Sequence, residues 1–273
     1  MNTIPLACPV CGLSLFQNDT ALKCSAKHAF DLSAKGYANL LTDLHRNSQA
    51  PGDNLEMVAA RRRFLDSGAY SVLRNALSRE VLSHESEIRV LVDAGCGEGS
   101  WTSGIREALP DPNVSIYGMD ISKDAIRYAS GRNRDIAWIV ASLFHLPLRD
   151  GCADCLTNVF APSCDPEFAR VLRKDGILIT VIPGRTHLWG LKSVLYEAPY
   201  ENDEDLPDLP DFTLMDTKHV TGFLHLAGKE SLKDLLAMTP YFWRSPKAGI
   251  ERLSKLEALE TPIAFLIATH RKR

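Results

Sequence analysis

The sequence predicts an α/β fold: a doubly wound sheet preceded by a small metal-stapled module. Three observations carry this. Apolar runs of strand length alternate with amphipathic helical stretches over most of the chain, the pattern of parallel strands joined by helices. One early run leads into Asp93-Ala-Gly-Cys-Gly-Glu-Gly99, a glycine-rich turn. Four metal-type ligands, Cys8, Cys11, Cys24 and His28, crowd into the N-terminal segment.

Length and composition set the bounds. The 273 residues, 45% hydrophobic and 24% charged, suit one sizeable α/β domain with an appendage. Apolar runs are too short to span a bilayer, and Met1-Asn-Thr-Ile-Pro5 does not start a signal peptide. A cytoplasmic setting with no membrane partner is therefore expected, which favours metal-bound or free thiols for the seven cysteines. The net charge of −3 argues against a dedicated nucleic-acid binder. Residues 1–80, however, hold nine Lys/Arg against seven Asp/Glu, and the remainder 22 against 27. That tilt permits a nucleic-acid partner near the N-terminus.

Zinc takes four soft or borderline ligands at tetrahedral corners. Cys8-Pro-Val-Cys11 offers two thiolates, and Cys24-Ser-Ala-Lys-His28 a thiolate and an imidazole. Leu13-Ser-Leu-Phe16 and Thr20-Ala-Leu-Lys23, around Gln17-Asn-Asp19, read as a short hairpin. So short a segment buries little core, so a metal is its natural staple. The alternative is chance cysteines or a Cys8–Cys11 disulfide. Asp31-Leu-Ser-Ala-Lys-Gly36 follows the histidine directly, which suits a zinc ribbon better than a DNA-reading finger. Cys152-Ala-Asp-Cys155 has no partner pair and reads as core thiols; Cys164 is unassigned.

The module is expected over residues 1–35, a linker with entry helices over 36–84, and the main domain over 85–273. Residues 42–53 are polar and contain Pro51-Gly52, a linker signal. Asn54 caps a predicted helix running to Gly68, and a second spans 70–83 with Leu73, Leu77 and Val81 on one face. Arg61, Arg62 and Arg63 either bind phosphate or form a solvated face.

Strands are predicted at 88–92, 115–119, 136–140, 156–160 and 177–182, then within 212–224 and at 262–269. Helices follow to about Leu109, after Ser122, around Phe168, Val171 and Leu172, to about Tyr196, and near 230–238. Five parallel strands and an antiparallel pair result, with a ligand across their carboxyl ends. Gly95, Gly97 and Gly99 let backbone approach that ligand. Asp93 and Glu98 would repel a pyrophosphate but suit the ammonium of S-adenosylmethionine. Asp120, 27 residues past Asp93, ends the second strand and can accept from ribose hydroxyls. Ser142 and Leu143 lie at the expected adenine edge, and Asn158-Val-Phe-Ala-Pro162 where methyl donor meets acceptor. This is the class I methyltransferase version of the doubly wound sheet.

The chain closely resembles the bacterial 23S ribosomal RNA guanine-N1 methyltransferases, over nearly its whole length. The likeness rests on the four zinc ligands, Gly36-Tyr-Ala-Asn-Leu40, Pro51-Gly-Asp53 and Ala60-Arg-Arg-Arg-Phe-Leu-Asp-Ser-Gly-Ala-Tyr70. It continues through the glycine loop, Ala161-Pro162, Pro183-Gly-Arg-Thr-His-Leu188 and Met238-Thr-Pro240. The resemblance implies a zinc module that helps recognise an rRNA hairpin loop, and places Tyr70 and His187 in the cofactor pocket. Of two neighbouring guanines, the guanine-745 type is expected, and a homodimer is compatible. Ser163-Cys-Asp165 departs from the family pattern. Guanine N1 carries a proton that must leave around the time of attack; Asp165, His187 and His145 are candidate catalytic bases. The alternatives are a small-molecule methyltransferase with a structural zinc module, or a binding protein on a degenerate cofactor fold.

Overall fold

The computed structural model describes residues 4–18, 20–42 and 52–273. Asp19 of the expected hairpin turn, Met1 to Thr3, and linker residues 43–51 lie outside the described residues.

The N-terminal module is a three-stranded antiparallel sheet of β1 (Leu15–Asn18), β2 (Ala21–Cys24) and β3 (Ala29–Asp31). The expected hairpin is present, shifted by one or two residues, and β3 adds a strand. Leu6, Leu15 and Leu22 bury their side chains against Leu40, Ile139, Leu146 and Leu148 of the main body. Backbone bonds reinforce this seam: Ala7 N–H donates to Pro147 O (2.9 Å) and Arg149 N–H to Pro5 O (2.9 Å). The module is therefore docked on the larger domain, where its apolar residues find the core they lack alone.

The main sheet has eight strands: β4 (Ala38–Asn39), β5 (Val90–Ala94), β6 (Ser115–Asp120), β7 (Ile136–Val140), β8 (Ala153–Val159), β9 (Leu172–Pro183), β10 (Phe212–Ala227) and β11 (Ala258–Lys272). Their order is β10-β11-β9-β8-β5-β6-β7-β4. β4 through β9 run parallel; β11 pairs antiparallel to β9, and β10 antiparallel to β11. The parallel strands read as apolar runs because helices cover both faces. The expected seven strands become eight because Ala38–Asn39 extends the edge beside β7. Part of the expected linker thus belongs to the catalytic sheet.

Helix α1 (Leu55–Asp66) starts where Asn54 accepts a bond from Met57 N (3.0 Å). In α2 (Ser71–Leu82), Leu73, Leu77 and Val81 form the buried face, as the spacing predicts. α3 (Ser100–Ala108) follows the glycine loop, and α4 (Lys123–Ala129) is capped by Ser122, which accepts from Ala125 N (3.2 Å). α5 (Asp165–Val171), α6 (Trp189–Leu195), α7 (Lys229–Ala237), α8 (Tyr241–Arg244) and α9 (Lys247–Ser254) complete the order. Two boundaries have clear causes. β5 starts at Val90 because the Asp154 carboxylate accepts from both Arg89 N and Val90 N (2.8 Å each). β8 stops at Val159 because Phe160 turns to φ 54°.

The arginines of the run all pair with acids of the chain, while Arg63 stays largely exposed. Arg63 grips Asp234 of α7 through two bonds (2.9 and 2.5 Å). Arg62 pairs with Asp66 (3.5 Å) and lies over the Tyr128 ring. Arg61 pairs with Asp53 (2.5 Å). These contacts hold α1 against α4 and α7 and against the segment preceding it.

Glu80 of α2 is buried and receives Lys218 Nζ of β10 (2.5 Å) and Thr269 Oγ1 of β11 (2.6 Å). Burial alone would raise its carboxyl; the Lys218 and Thr269 bonds outweigh that and hold it below the usual carboxylate range. A depressed folded pKa contributes stability above the unfolded value, lost as pH falls through the folded one. Glu80→Ala should therefore cost about 1–3 kcal/mol at neutral pH. In urea unfolding, its gap from the parent should narrow as pH drops below about 4; a gap that widens in acid would contradict this assignment.

Candidate active site and metal centre

Cys8, Cys11, Cys24 and His28 place their ligand atoms within 4.8 Å of one another. Cys11 Sγ and Cys24 Sγ are 3.8 Å apart, and His28 Nδ1 is 3.5 Å from both Cys8 Sγ and Cys24 Sγ. A tetrahedral zinc with ordinary bond lengths requires edges of about 3.8 Å between sulfurs and about 3.6 Å from sulfur to nitrogen. Three edges of the cluster match these lengths, and its ligand set is the one a structural zinc takes. It is the one such group among the described residues. Cys155 is buried in strand β8, and Cys152 is partly buried against the core.

The glycine loop joins β5 to α3. Gly95, Gly97 and Gly99 all have positive φ (86°, 56° and 84°). A Cβ on Gly95 would sit 2.4 Å from the Ala161 methyl, and 3.5 Å from Leu143 Cδ1. The loop, the β8 turn and the β7 turn thus meet at this glycine. Asp120 ends β6, with Oδ2 accepting from Gly97 N (3.0 Å) and Oδ1 from Ser122 N (2.8 Å). Burial pushes its carboxyl up. It is aimed and fixed, and its remaining lone pairs suit ribose hydroxyls. Ser142 and Leu143 are buried beyond β7, with the Ser142 hydroxyl accepting from Phe144 N (3.3 Å). Glycine loop, aimed carboxylate and apolar edge lie together at the carboxyl ends of the parallel strands.

Two expected ammonium partners are otherwise engaged. Asp93 is buried, accepting from Thr102 Oγ1 (2.5 Å) and Thr157 Oγ1 (2.9 Å). Glu98 is buried against Arg132, whose Nε donates to it at 2.5 Å, and Arg132 also pairs with Asp66 (2.7 Å). Both acids shape the loop from behind. Arg61, unassigned to this pocket from sequence, lies over it: its Nη1 is 3.6 Å from where a Gly97 side chain would start, and its Nη2 donates to Met238 O (3.3 Å). Only its partners, far off in sequence, reveal that position.

Tyr70 and His187, both candidates for the cofactor pocket by resemblance, are neighbours in the structure. Tyr70 Oη lies 3.2 Å from His187 Nε2, and Ala264 N–H donates to His187 Nδ1 (3.3 Å). Accepting at Nδ1 leaves the ring proton on Nε2, directed to the phenol oxygen. Burial pushes the imidazole down to about 3. His187 is neutral here, and both of its nitrogens are engaged by protein partners. It belongs to an aromatic cluster in which Phe265 lies 4.8 Å from His187 and 5.1 Å from Tyr70 between ring centroids. His145 is exposed, bonded to Phe144 O, and lines a cleft of about 500 Å³ between module and main domain. Asp165 opens α5; burial, then the neighbouring Asp211, push its carboxyl up, and its buried Oδ1 lacks a partner. Of the three candidate bases, Asp165 keeps an accepting atom unsatisfied.

Comparison with known proteins decides the family. A protein of Micromonospora griseorubida, provisionally named a 23S rRNA (guanine-N(1)-)-methyltransferase, is 39% identical over 98% of this chain and 96% of its own. The chain belongs to the 23S rRNA (guanine-N1)-methyltransferase family. A 23S rRNA (guanine(748)-N(1))-methyltransferase of Streptomyces fradiae is 36% identical, covering 93% of this chain and 91% of its own. YxjB of Bacillus subtilis, also provisionally named for this activity, is 30% identical, covering 94% and 93%. Residues 6–49 match the zinc-ribbon family described as "RlmA, N-terminal", and residues 91–176 a family described as "Methyltransferase domain". The protein is thus a class I, S-adenosylmethionine-dependent methyltransferase with a zinc ribbon, like other members of this methyltransferase family. Among the described residues, no helix is long and apolar enough to cross a membrane.

Two outcomes follow from the geometry. Purified protein should contain about one zinc per chain, and chelation should loosen residues 4–42 in hydrogen exchange, since the metal replaces a missing core; a metal-free chain protected there would contradict the staple. In nitrogen-resolved NMR, His187 should stay neutral, with its proton on Nε2, down to pH 5. A His187 that titrates between pH 5 and 7 would contradict this reading.

Proposed function

We propose that this chain transfers a methyl group from S-adenosylmethionine to N1 of a guanine in a 23S rRNA hairpin loop. The observation that carries the proposal is the shared turn at residues 142–148. Its first residues, Ser142 and Leu143, edge the cofactor pocket, and Leu148 bridges to Leu6 of the zinc module. A recognition module docked on the rim of a methyl-donor site suits a macromolecular acceptor. N1 lies on the Watson–Crick edge, so the base must be unpaired or extruded, as a hairpin loop allows.

In this proposal residues 1–35 serve RNA recognition, 36–84 are the linker and entry helices, and 85–273 are the methyltransferase domain. Tyr70, Gly95, Gly97, Asp120, Ser142, Leu143 and His187 line the cofactor site, with Asp93 and Glu98 shaping the loop. The sulfonium supplies an electrophilic methyl and leaves as a neutral thioether. The protein's task is alignment, with Asp120 and the glycine loop fixing the donor. Asp165 is the favoured acceptor for the N1 proton, supported by its unsatisfied buried oxygen. The name of the Streptomyces fradiae relative carries position 748, so we favour that guanine over the guanine-745 type. A homodimer is part of the proposal, supported by β10: it ends the sheet and exposes Leu214, Met215 and Phe223. The setting is the cytoplasm, where rRNA is modified.

The test is methyl transfer to unmodified 23S rRNA with mapping of the product base. The full chain should yield N1-methylguanine at one position. Asp120→Ala, which removes charge-assisted bonds of about 1.5–3 kcal/mol, should weaken cofactor binding at least about tenfold in calorimetry. An inactive parent that binds cofactor normally, yet turns over a small acceptor, would overturn the rRNA assignment.

A further inference from the structure

Phe160 is a large apolar side chain, 41% exposed, at the carboxyl end of β8. Its backbone is unusual as well. At φ 54° it occupies the left-handed region, uncommon for a bulky residue. Strain of this kind persists only where the surroundings over-determine it, and it clusters at functional sites.

The surroundings do over-determine it. Phe160 N–H donates to Val181 O (3.0 Å), so the residue still ends the β8–β9 ladder. Two residues before it, Asn158 is buried and its Nδ2 donates both to Ala94 O (2.9 Å) and to Pro162 O (3.3 Å). One side chain thereby ties the end of β5 to the turn after Phe160. Ala161 is seated against Gly95, where any side chain would collide. The chain between these anchors must reverse within one residue, and the left-handed turn brings the ring to the mouth of the glycine loop. There it contacts Trp101, the second residue of α3, with centroids 6.5 Å apart. Phe265 (5.8 Å) and His187 (6.4 Å) lie against it from within. The neutral, doubly bonded His187 is suited to that supporting role.

We infer that Phe160 is the stacking platform for the acceptor base, holding the extruded guanine by its face beside the methyl donor. The inference rests on the rRNA reading above and adds the residue that would hold the base. A base taken out of its stack loses its neighbours' π contacts, and an aromatic ring restores one. The geometry supplies a fixed ring, partly exposed, backed by other rings and adjacent to the cofactor loop. It also accounts for the strain: an ordinary strand exit would not hold the ring between Trp101 and the glycine loop.

The experiment uses the full chain, unmodified 23S rRNA and four variants. Phe160→Ala and Phe160→Leu should lower kcat/KM for rRNA at least about fivefold, the lower end of base stacking on an aromatic. Phe160→Tyr and Phe160→Trp should stay within about threefold of the parent. S-adenosylmethionine affinity by calorimetry should stay within about twofold in every folded variant. Leucine keeps the bulk without a π face, so it carries the test if the alanine variant does not fold. Full activity of Phe160→Leu would overturn the inference. Equal loss in Phe160→Tyr and Phe160→Leu would also overturn it, by showing a purely steric need. Loss of cofactor affinity in Phe160→Leu would assign the ring to the donor pocket instead. A parent chain that leaves rRNA unmethylated would sink the rRNA reading itself, and the platform with it, whatever the variants do.

Discussion

The carboxylate of Asp93 is the point on which the catalytic end of the sheet is built. It is the penultimate residue of β5, and its two oxygens take the hydroxyls of Thr102 on α3 and Thr157 on β8. The glycine loop leaves β5 between those two elements, so the bonds fix both flanks of the loop. The group is buried, and burial pushes its carboxyl up to about 6, the two threonine bonds offsetting only part. A folded pKa above the unfolded one means the charged form costs stability at neutral pH, a cost that fades as pH falls through about 6. The fold accepts this because the charge, held by two oriented hydroxyls, sets the shape of a loop that has little side-chain bulk of its own.

From that point the pocket assembles outward. Gly97 N–H reaches Asp120 across the β5–β6 boundary, fixing the second carboxylate relative to the first. Gly95 leaves space for Ala161, so the β8 turn closes on the loop without a gap. Arg132 neutralises Glu98 and Asp66, and Arg61 spans from Asp53 to Met238 O. The loop is walled on one side by side chains already satisfied by protein partners. Its open side carries the rings of Trp101 and Phe160.

Local pattern made much of this legible. The run at 136–140 is β7 to the residue, and Asn54 and Ser122 cap the helices that their side chains announce. The zinc ligands could be picked out because their chemistry requires a spacing that chance rarely supplies. What local pattern could not show depends on partners far along the chain. Arg63 finds Asp234 on α7, 171 residues away, so a run that reads as a basic patch also clamps helices together. Glu98 looks like a ligand group until Arg132 is folded against it. β4 is two residues long, too short for a period of two to register, and is a strand only because β7 lies alongside. Phe160 reads as the last residue of a strand, and its reversal follows from the Asn158 and Ala161 contacts that no periodicity encodes.

The turn at 142–148 joins two binding events. One end borders the donor pocket, and the other bonds to the segment that carries Cys8. The zinc module and the glycine-loop end of the sheet therefore share one stretch of backbone. If loading one site changes affinity at the other, the change must be equal in both directions, because the two form a closed thermodynamic cycle. Any such cycle would run through this seven-residue stretch of backbone.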